Sequence, residues 1–351
     1  MTLELTQIDL KGYGRFDSEP ASFECLKYRL PAPWDYCYAN GQVLLRIRHD
    51  GAGYLQVQPP HGPPLLGGPP LLFRDNGHVT PSMFTWIIPE SSKGRQAFTN
   101  FWLPAIPSRS ADAEPDEFRC RFTPAAAHYL VVQDDWTVGT QVWVPPSGAA
   151  MVMTVSLTNR ARRRRSCTIM PVARPYLASL NQAAWDVAAW YQTVAFCRVA
   201  GSSAFWIQTG DAGGNPANRL HAGIISNLAC DSFEVSMDCF VGAGEWGSPR
   251  AVWDASLVLT PKTGPGFAYG YAGADNAACG QPPVAAMAKK IALGRSETFE
   301  FTMVIGKLPD SSDGQLPSSS HLAELGKYLC ASPRRRAGAI MSWSFHCTTR
   351  F

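Results

Sequence analysis

Stretches of alternating apolar and polar residues recur along this chain, and Gly and Pro break the backbone between them. Val43, Leu45 and Ile47 alternate with Leu44 and Arg46. Met151, Met153, Val155 and Leu157 alternate with Val152, Thr154, Ser156 and Thr158, and Phe299, Phe301, Met303 and Ile305 with Thr298, Glu300, Thr302 and Val304. Successive strand side chains point to opposite faces, so each stretch is a strand with one face against a core. Their β-branched and aromatic residues suit a pleated surface. With 30 Gly and 28 Pro, the chain is built for many short strands rather than long helices. Pro59–Pro70 and Gly264–Gly280 are too rich in Gly and Pro for either regular structure and read as loops. Ser319–Cys330 alone reads as a helix, with Ser320 as its cap and Glu324 in its first turn. A helix this short holds in water only if it docks. No fixed-period repeat is present, which argues against a propeller or solenoid.

The expected fold class is therefore all-β. At 46% hydrophobic and 17% charged, the 351 residues can bury a substantial core. The expected division is one β unit over 1–308, then a linker, short helix and basic tail over 309–351, with Arg334, Arg335 and Arg336 in the tail. A net charge of +3 gives no strong pull toward nucleic acid or an anionic membrane, so neither is expected as a partner. Residues 1–16 mix Glu4, Asp9, Lys11 and Arg15 among apolar residues, unlike a secretory signal, and a cytoplasmic location is expected. The ten cysteines include no Cys-x-x-Cys pair and are expected to be reduced, mostly buried thiols. Neither a structural metal nor a cofactor is expected.

Several groups could carry chemistry. Asp134 and Asp135 are adjacent, so in a strand they would face opposite sides; they read as a strand end or turn. His49, His61 and His78 have no metal-ligand spacing. Arg162–Arg165 follow one strand and precede another at Thr168–Val172, and read as an exposed hairpin turn, with a phosphate or nucleic-acid site as the alternative. The richest segment holds Asn181, Gln182, Trp185, Asp186, Trp190, Tyr191 and Gln192. Aromatic rings match the C–H faces of a pyranose, while amides and a carboxylate bind its hydroxyls. Trp185 and Trp190 read equally as core aromatics. Arg219 and His221 could join a sugar site or simply hold a loop.

In order, these segments resemble the N-terminal domain of glycoside hydrolase family 94, formerly glycosyltransferase family 36, the cellobiose, cellodextrin and related β-glucan phosphorylases. The resemblance rests on Tyr36–Gly41, His49–Tyr54, Phe73–Asp75, Asn100–Pro104, Val155–Arg160, Asn181–Gln192, Gly214–His221, Phe233–Gly242, Pro283–Glu297 and Val304–Gly306. It departs from the family at Met237-Asp238-Cys239, which lacks the usual Arg, and at Arg295-Ser296, where Pro-Gly is commoner. The resemblance implies a supersandwich of two large antiparallel sheets, related to galactose mutarotase. It also implies a homodimer role, a β-linked gluco-oligosaccharide as ligand and phosphate as co-substrate of the full-length family. In that family the general acid and most of the phosphate site belong to a separate downstream (α/α)6 barrel, which this chain is too short to contain. No catalytic residue is therefore assigned. The alternatives are a mutarotase-like epimerase, needing a His acid opposite a carboxylate base, and a purely structural β module.

Overall fold

A computed structural model describes residues 12–17, 21–57, 81–90, 97–102, 113–175, 177, 192–209, 221–253, 276–279, 282–309 and 319–331. The strands are β1 (Gly14–Asp17), β2 (Ser22–Cys25), β3 (Asp35–Ala39), β4 (Val43–Arg48), β5 (Gly53–Val57), β6 (Met83–Pro89) and β7 (Phe98–Thr99). They continue as β8 (Glu117–Phe122), β9 (Ala127–Gln133), β10 (Trp136–Trp143), β11 (Ala150–Asn159), β12 (Arg165–Ala173), β13 (Gln192–Val199) and β14 (Ser202–Thr209). Then follow β15 (His221–Ser226), β16 (Ser232–Ser236), helices α1 (Met237–Val241) and α2 (Arg250–Trp253), β17 (Asn276–Cys279), β18 (Pro283–Leu293), β19 (Thr298–Lys307) and helix α3 (Ser319–Gly326).

Eleven strands form one sheet in the order β1-β2-β8-β9-β10-β11-β19-β15-β14-β13-β17. Opposite it lie a five-stranded sheet, β16-β18-β12-β6-β7, and a three-stranded sheet, β3-β4-β5, with antiparallel pairing in all three. The expected all-β sandwich is present, its second layer divided into two pieces. The five-stranded piece docks through Phe233, stacked on Phe196 of the large sheet at a centroid separation of 3.7 Å. The three-stranded piece is tied down by Tyr129 Oη donating to the Arg48 carbonyl at 2.7 Å and Tyr38 Oη donating to the Thr123 carbonyl at 3.1 Å.

Alternation in β11 and β19 places Met151, Met153, Val155, Phe301, Met303 and Ile305 in the core between the layers. Their other phase is also covered. Val152 and Val304 join Trp143, Leu322, Leu325 and Tyr328 in a second apolar cluster on the outer face. There α3 does the covering. Leu322 is fully buried, and Tyr328 Oη donates to the Ser147 carbonyl at 2.7 Å. The close approach depends on Gly223, where an added Cβ would lie 2.6 Å from Leu322 Cδ2. The outer faces of Phe84 and Trp86 are capped in turn by Trp246 and Trp253, from the region of α1 and α2.

Two expectations require correction. Arg162–Arg165 is not a hairpin turn, because β11 pairs with β10 and β19 while β12 pairs with β6 and β18. The segment instead arches from one layer to the other. Within Gly264–Gly280, Asn276–Cys279 forms β17, an edge strand on β13. One neighbour suffices at an edge, and backbone pairing does not need a side-chain pattern. The Pro59–Pro70 segment and the tail after 331 lie outside the described residues. Cys25, Cys120, Cys167, Cys197 and Cys230 are buried free thiols, and Cys37, Cys239 and Cys330 are free thiols nearer the surface.

If α3 is an integral cover, Leu322→Ala should lower unfolding free energy by about 2–5 kcal/mol, the usual cost of emptying a leucine site. Denaturant unfolding measures this; an unchanged midpoint and slope would show that the helix contributes nothing to the sandwich.

Candidate functional site

The turn between β4 and β5 is held by a closed set of hydrogen bonds. Asp50, buried, accepts from Ala52 N through Oδ1 at 3.1 Å and from Arg48 Nη2 through Oδ2 at 2.8 Å. Arg48 N donates to the Ala52 carbonyl at 2.8 Å, and Gly51 N to the Arg48 carbonyl at 3.0 Å. Gly51 has φ +79°, and a Cβ there would lie 2.3 Å from Phe101 Cγ, so no other residue fits. The Phe101 ring meets Tyr129 edge-on at 4.7 Å. The segments 48–54 and 100–102, distant in sequence, thus meet at one place.

His49 is also buried. Its Nε2 donates to the Tyr28 carbonyl at 2.9 Å, and its Nδ1 accepts from Trp34 N at 3.4 Å. This pairing fits a neutral imidazole with one donor and one acceptor. Burial pulls its pKa below the ordinary value, with the Asp50 charge opposing less strongly. His49 is therefore a structural pin rather than an acid or base.

Outside this turn, the register of β3, β4 and β5 aligns Cys37, Arg46 and Tyr54 across the three strands. Asp35 lies on the same face, two residues from Cys37. Arg46 Nε donates to Asp35 Oδ2 at 2.7 Å, and its Nη2 contacts the same oxygen. The side chains of Arg46 and Asp35 are 46% and 27% exposed, so the pair is open to a ligand. On the other side of β4 and β5, between the layers, lies a small cavity lined by Leu45, Ile47, Met83, Met151 and Met153 among others. Its volume is about 20 Å³, room for about one water. The row sets a phenol beside a fixed donor–acceptor pair, groups of the kind that recognise polar ligands. Among the described residues no cluster of three His, Cys, Asp or Glu could hold a metal ion.

Of the residues singled out from sequence, Asn181, Gln182, Trp185, Asp186, Trp190, Tyr191 and Arg219 lie outside the described residues, as do His61 and His78. Gln192 opens β13, its Cα opposite that of Thr209. His221 opens β15 and is 2% exposed; alternation puts it on the same face as Gly223, which α3 covers. Asp134 and Asp135 form the β9–β10 turn, as expected, with Asp134 at φ 51° and Asp135 paired to Arg165. Sequence reasoning did not single out Asp35 and Arg46, and used Tyr54 only as part of a family-like segment. The off-core phase of β4 marks Arg46, but only the register brings the other two beside it.

Residues 26–319 match the family model described as the glycosyl hydrolase 94 supersandwich domain. No curated protein matches the chain. Among solved structures it is similar to a candidate kojibiose phosphorylase from the human microbiome, at 10% identity and TM-score 0.45, over 92% of this chain and 37% of that one. It is also similar to a polysaccharide lyase at 10% identity and TM-score 0.42, over 84% of this chain and 34% of that one. A candidate aldose 1-epimerase from Klebsiella pneumoniae subsp. pneumoniae aligns at 9% identity and TM-score 0.45, over 90% and 89% of the two chains. This chain therefore spans little more than a third of the length of the phosphorylase and of the lyase.

The His49 geometry predicts a pH dependence with a definite sign. Its folded pKa lies below the ordinary 6.5, so between the two values the unfolded chain binds more protons. The contribution is complete above 6.5 and is lost as pH falls through the folded value. His128, also lowered, first by burial and then by Arg121, adds in the same direction. Unfolding free energy measured across this range should fall with acid, and His49→Gln should flatten the slope. A wild-type curve level below 6.5 would contradict a buried neutral imidazole.

Proposed function

The chain belongs to the glycosyl hydrolase 94 supersandwich-domain family, and from that premise we propose that it is the carbohydrate-binding, dimer-forming domain of an inverting β-glucoside phosphorylase system. The observation that carries the sugar reading is the exposed Asp35–Arg46 pair, aligned with Tyr54 across β3–β5. It lies directly beside the place where family-like segments 48–54 and 100–102 meet. The ligand is a β-linked gluco-oligosaccharide, whose equatorial hydroxyls give each ring a broad apolar face for an aromatic platform. Asn181, Gln182, Trp185, Asp186, Trp190, Tyr191 and Gln192, with Arg219, are proposed as a second contact on the same ligand; His221, buried under α3, is left out of it.

In this reading the work of the chain is binding and orientation. The general acid that protonates the leaving oxygen, and the site for phosphate as nucleophile, belong to a helical barrel on a separate segment or chain. Phosphorolysis with inversion needs an acid on one side of the sugar and phosphate on the other. The β3–β5 row offers neither a poised acid nor a phosphate cradle, and it suits acceptor recognition instead.

Titration calorimetry with a β-linked gluco-oligosaccharide tests the reading. The purified chain should bind the sugar yet consume no glucose 1-phosphate. Tyr54→Ala should weaken binding by about 1–3 kcal/mol, the range for losing an aromatic anchor, with Trp185→Ala and Trp190→Ala weakening it to a similar degree. Absence of binding by the wild type, or unchanged affinity in all three variants, would overturn the proposal.

A further inference from the structure

Asn159 ends β11 and is fully buried. Its Nδ2 donates to the carbonyls of Arg163 at 2.8 Å, Leu293 at 2.9 Å and Gly294 at 3.0 Å, and its Oδ1 accepts from Ala161 N at 2.9 Å. Its backbone completes the joint, with Asn159 N donating to the Glu297 carbonyl and Ser296 N donating to the Asn159 carbonyl. One side chain thus binds together the two segments that cross between layers at this edge, 160–164 and 294–297. The result is an unusual grouping of charge. Arg160, Arg162, Arg163, Arg164 and Arg295 are all exposed on these neighbouring arches.

None of those five guanidiniums is ion-paired or hydrogen-bonded among the described residues. The nearby carboxylates are engaged elsewhere: Asp135 pairs with Arg165, Glu297 Oε2 accepts from Gly294 N at 2.6 Å, and Asp116 Oδ2 accepts from Asp134 N at 2.7 Å. Five like charges therefore sit on a rigid frame with no ion-pair partner among the described residues. Every charged residue in Arg160–Arg165 is Arg rather than Lys. A guanidinium fork pairs with a carboxylate through two parallel hydrogen bonds, and it loses less freedom on binding than an ammonium on a flexible stem. A backbone fixed in advance lowers the ordering cost further.

We propose that this double arch is a docking surface for an acidic segment of another protein. The flanking charges select that class of partner. Asp116, Asp134 and Glu297 border the arginines and are exposed. A nucleic-acid backbone or an anionic membrane presents uniform negative charge and would meet these carboxylates unfavourably. A protein segment can place its acids on the arginines and neutral or basic residues at the border.

The test uses the whole chain and a fluorescein-labelled peptide with a central run of glutamates flanked by serines, followed by anisotropy. The peptide should bind at low salt and be released as salt rises. The triple variant Arg162→Gln/Arg163→Gln/Arg164→Gln should weaken binding about tenfold or more. These side chains are exposed, so its melting temperature and circular dichroism should match wild type. Arg295→Gln, on the second arch, should weaken binding independently. No peptide binding at low salt, or equal binding by the triple variant, would refute the proposal. Tighter binding of a DNA duplex or of phosphatidylserine vesicles than of the peptide would refute the assigned partner.

Discussion

A sheet of eleven strands whose central members are apolar on both faces can exist only if each face is covered, and much of this molecule follows from that requirement. In β11 and β19 the residues Met153 and Met303 face one way and Val152 and Val304 the other, all essentially excluded from water. Exposing either set would forfeit the burial that holds the strands together, at about 25 cal/mol per Å² of apolar surface. The inner face is covered by the five- and three-stranded sheets. The outer face, where β15, β19 and β11 meet, is covered by Leu322 and Leu325 of α3 and by Tyr328 just beyond it. The helix is short for an autonomous element but well supported here, because the sheet provides a glycine where the leucine must approach.

The division of the second layer shapes the candidate site. A single continuous opposing sheet would leave no seam. Here β4–β5 and β6 approach each other over β10 and β11, and the small cavity lies at that meeting. The turn from Arg48 to Ala52 closes it, pinned by Asp50, by the buried neutral His49 and by the fit of Gly51 against Phe101. Rigid elements thus hold Tyr54, Arg46 and Asp35 in a fixed row facing outward. Position without flexibility is what a recognition surface needs, because little ordering remains to be done when a ligand arrives.

How far the sequence alone could be read depends on what each feature encodes. The strands β4, β11 and β19 were legible because alternation directly records which side chains meet a core. A short helix beginning at Ser319 was legible, though Ser320 lies inside it rather than capping it, Glu324 falls after its first turn and it ends at Gly326, not Cys330; Asp134–Asp135 was legible as a turn from its polarity. Connectivity was less visible: Arg162–Arg165 lies between two strands, yet nothing local shows whether those strands pair or belong to different layers. The role of Asn159 was hidden for the same reason, since its partners at 293 and 294 are distant in sequence. Edge strand β17 carries no alternation to detect. Asp35, Arg46 and Tyr54 become neighbours only through the register of three strands, while the aromatic segment from Asn181 to Tyr191 and Arg219 lie outside the described residues.

Hydrogen exchange followed residue by residue, with and without a saturating β-linked gluco-oligosaccharide, tests the central claim most directly. The β3–β5 row is the proposed sugar surface, so bound sugar should slow amide exchange in β3, β4 and β5 and in the Arg48–Ala52 turn. The buried strands β11 and β19, already protected on both faces, should change little. Saturated binding with no added protection anywhere in β3–β5 would contradict the account.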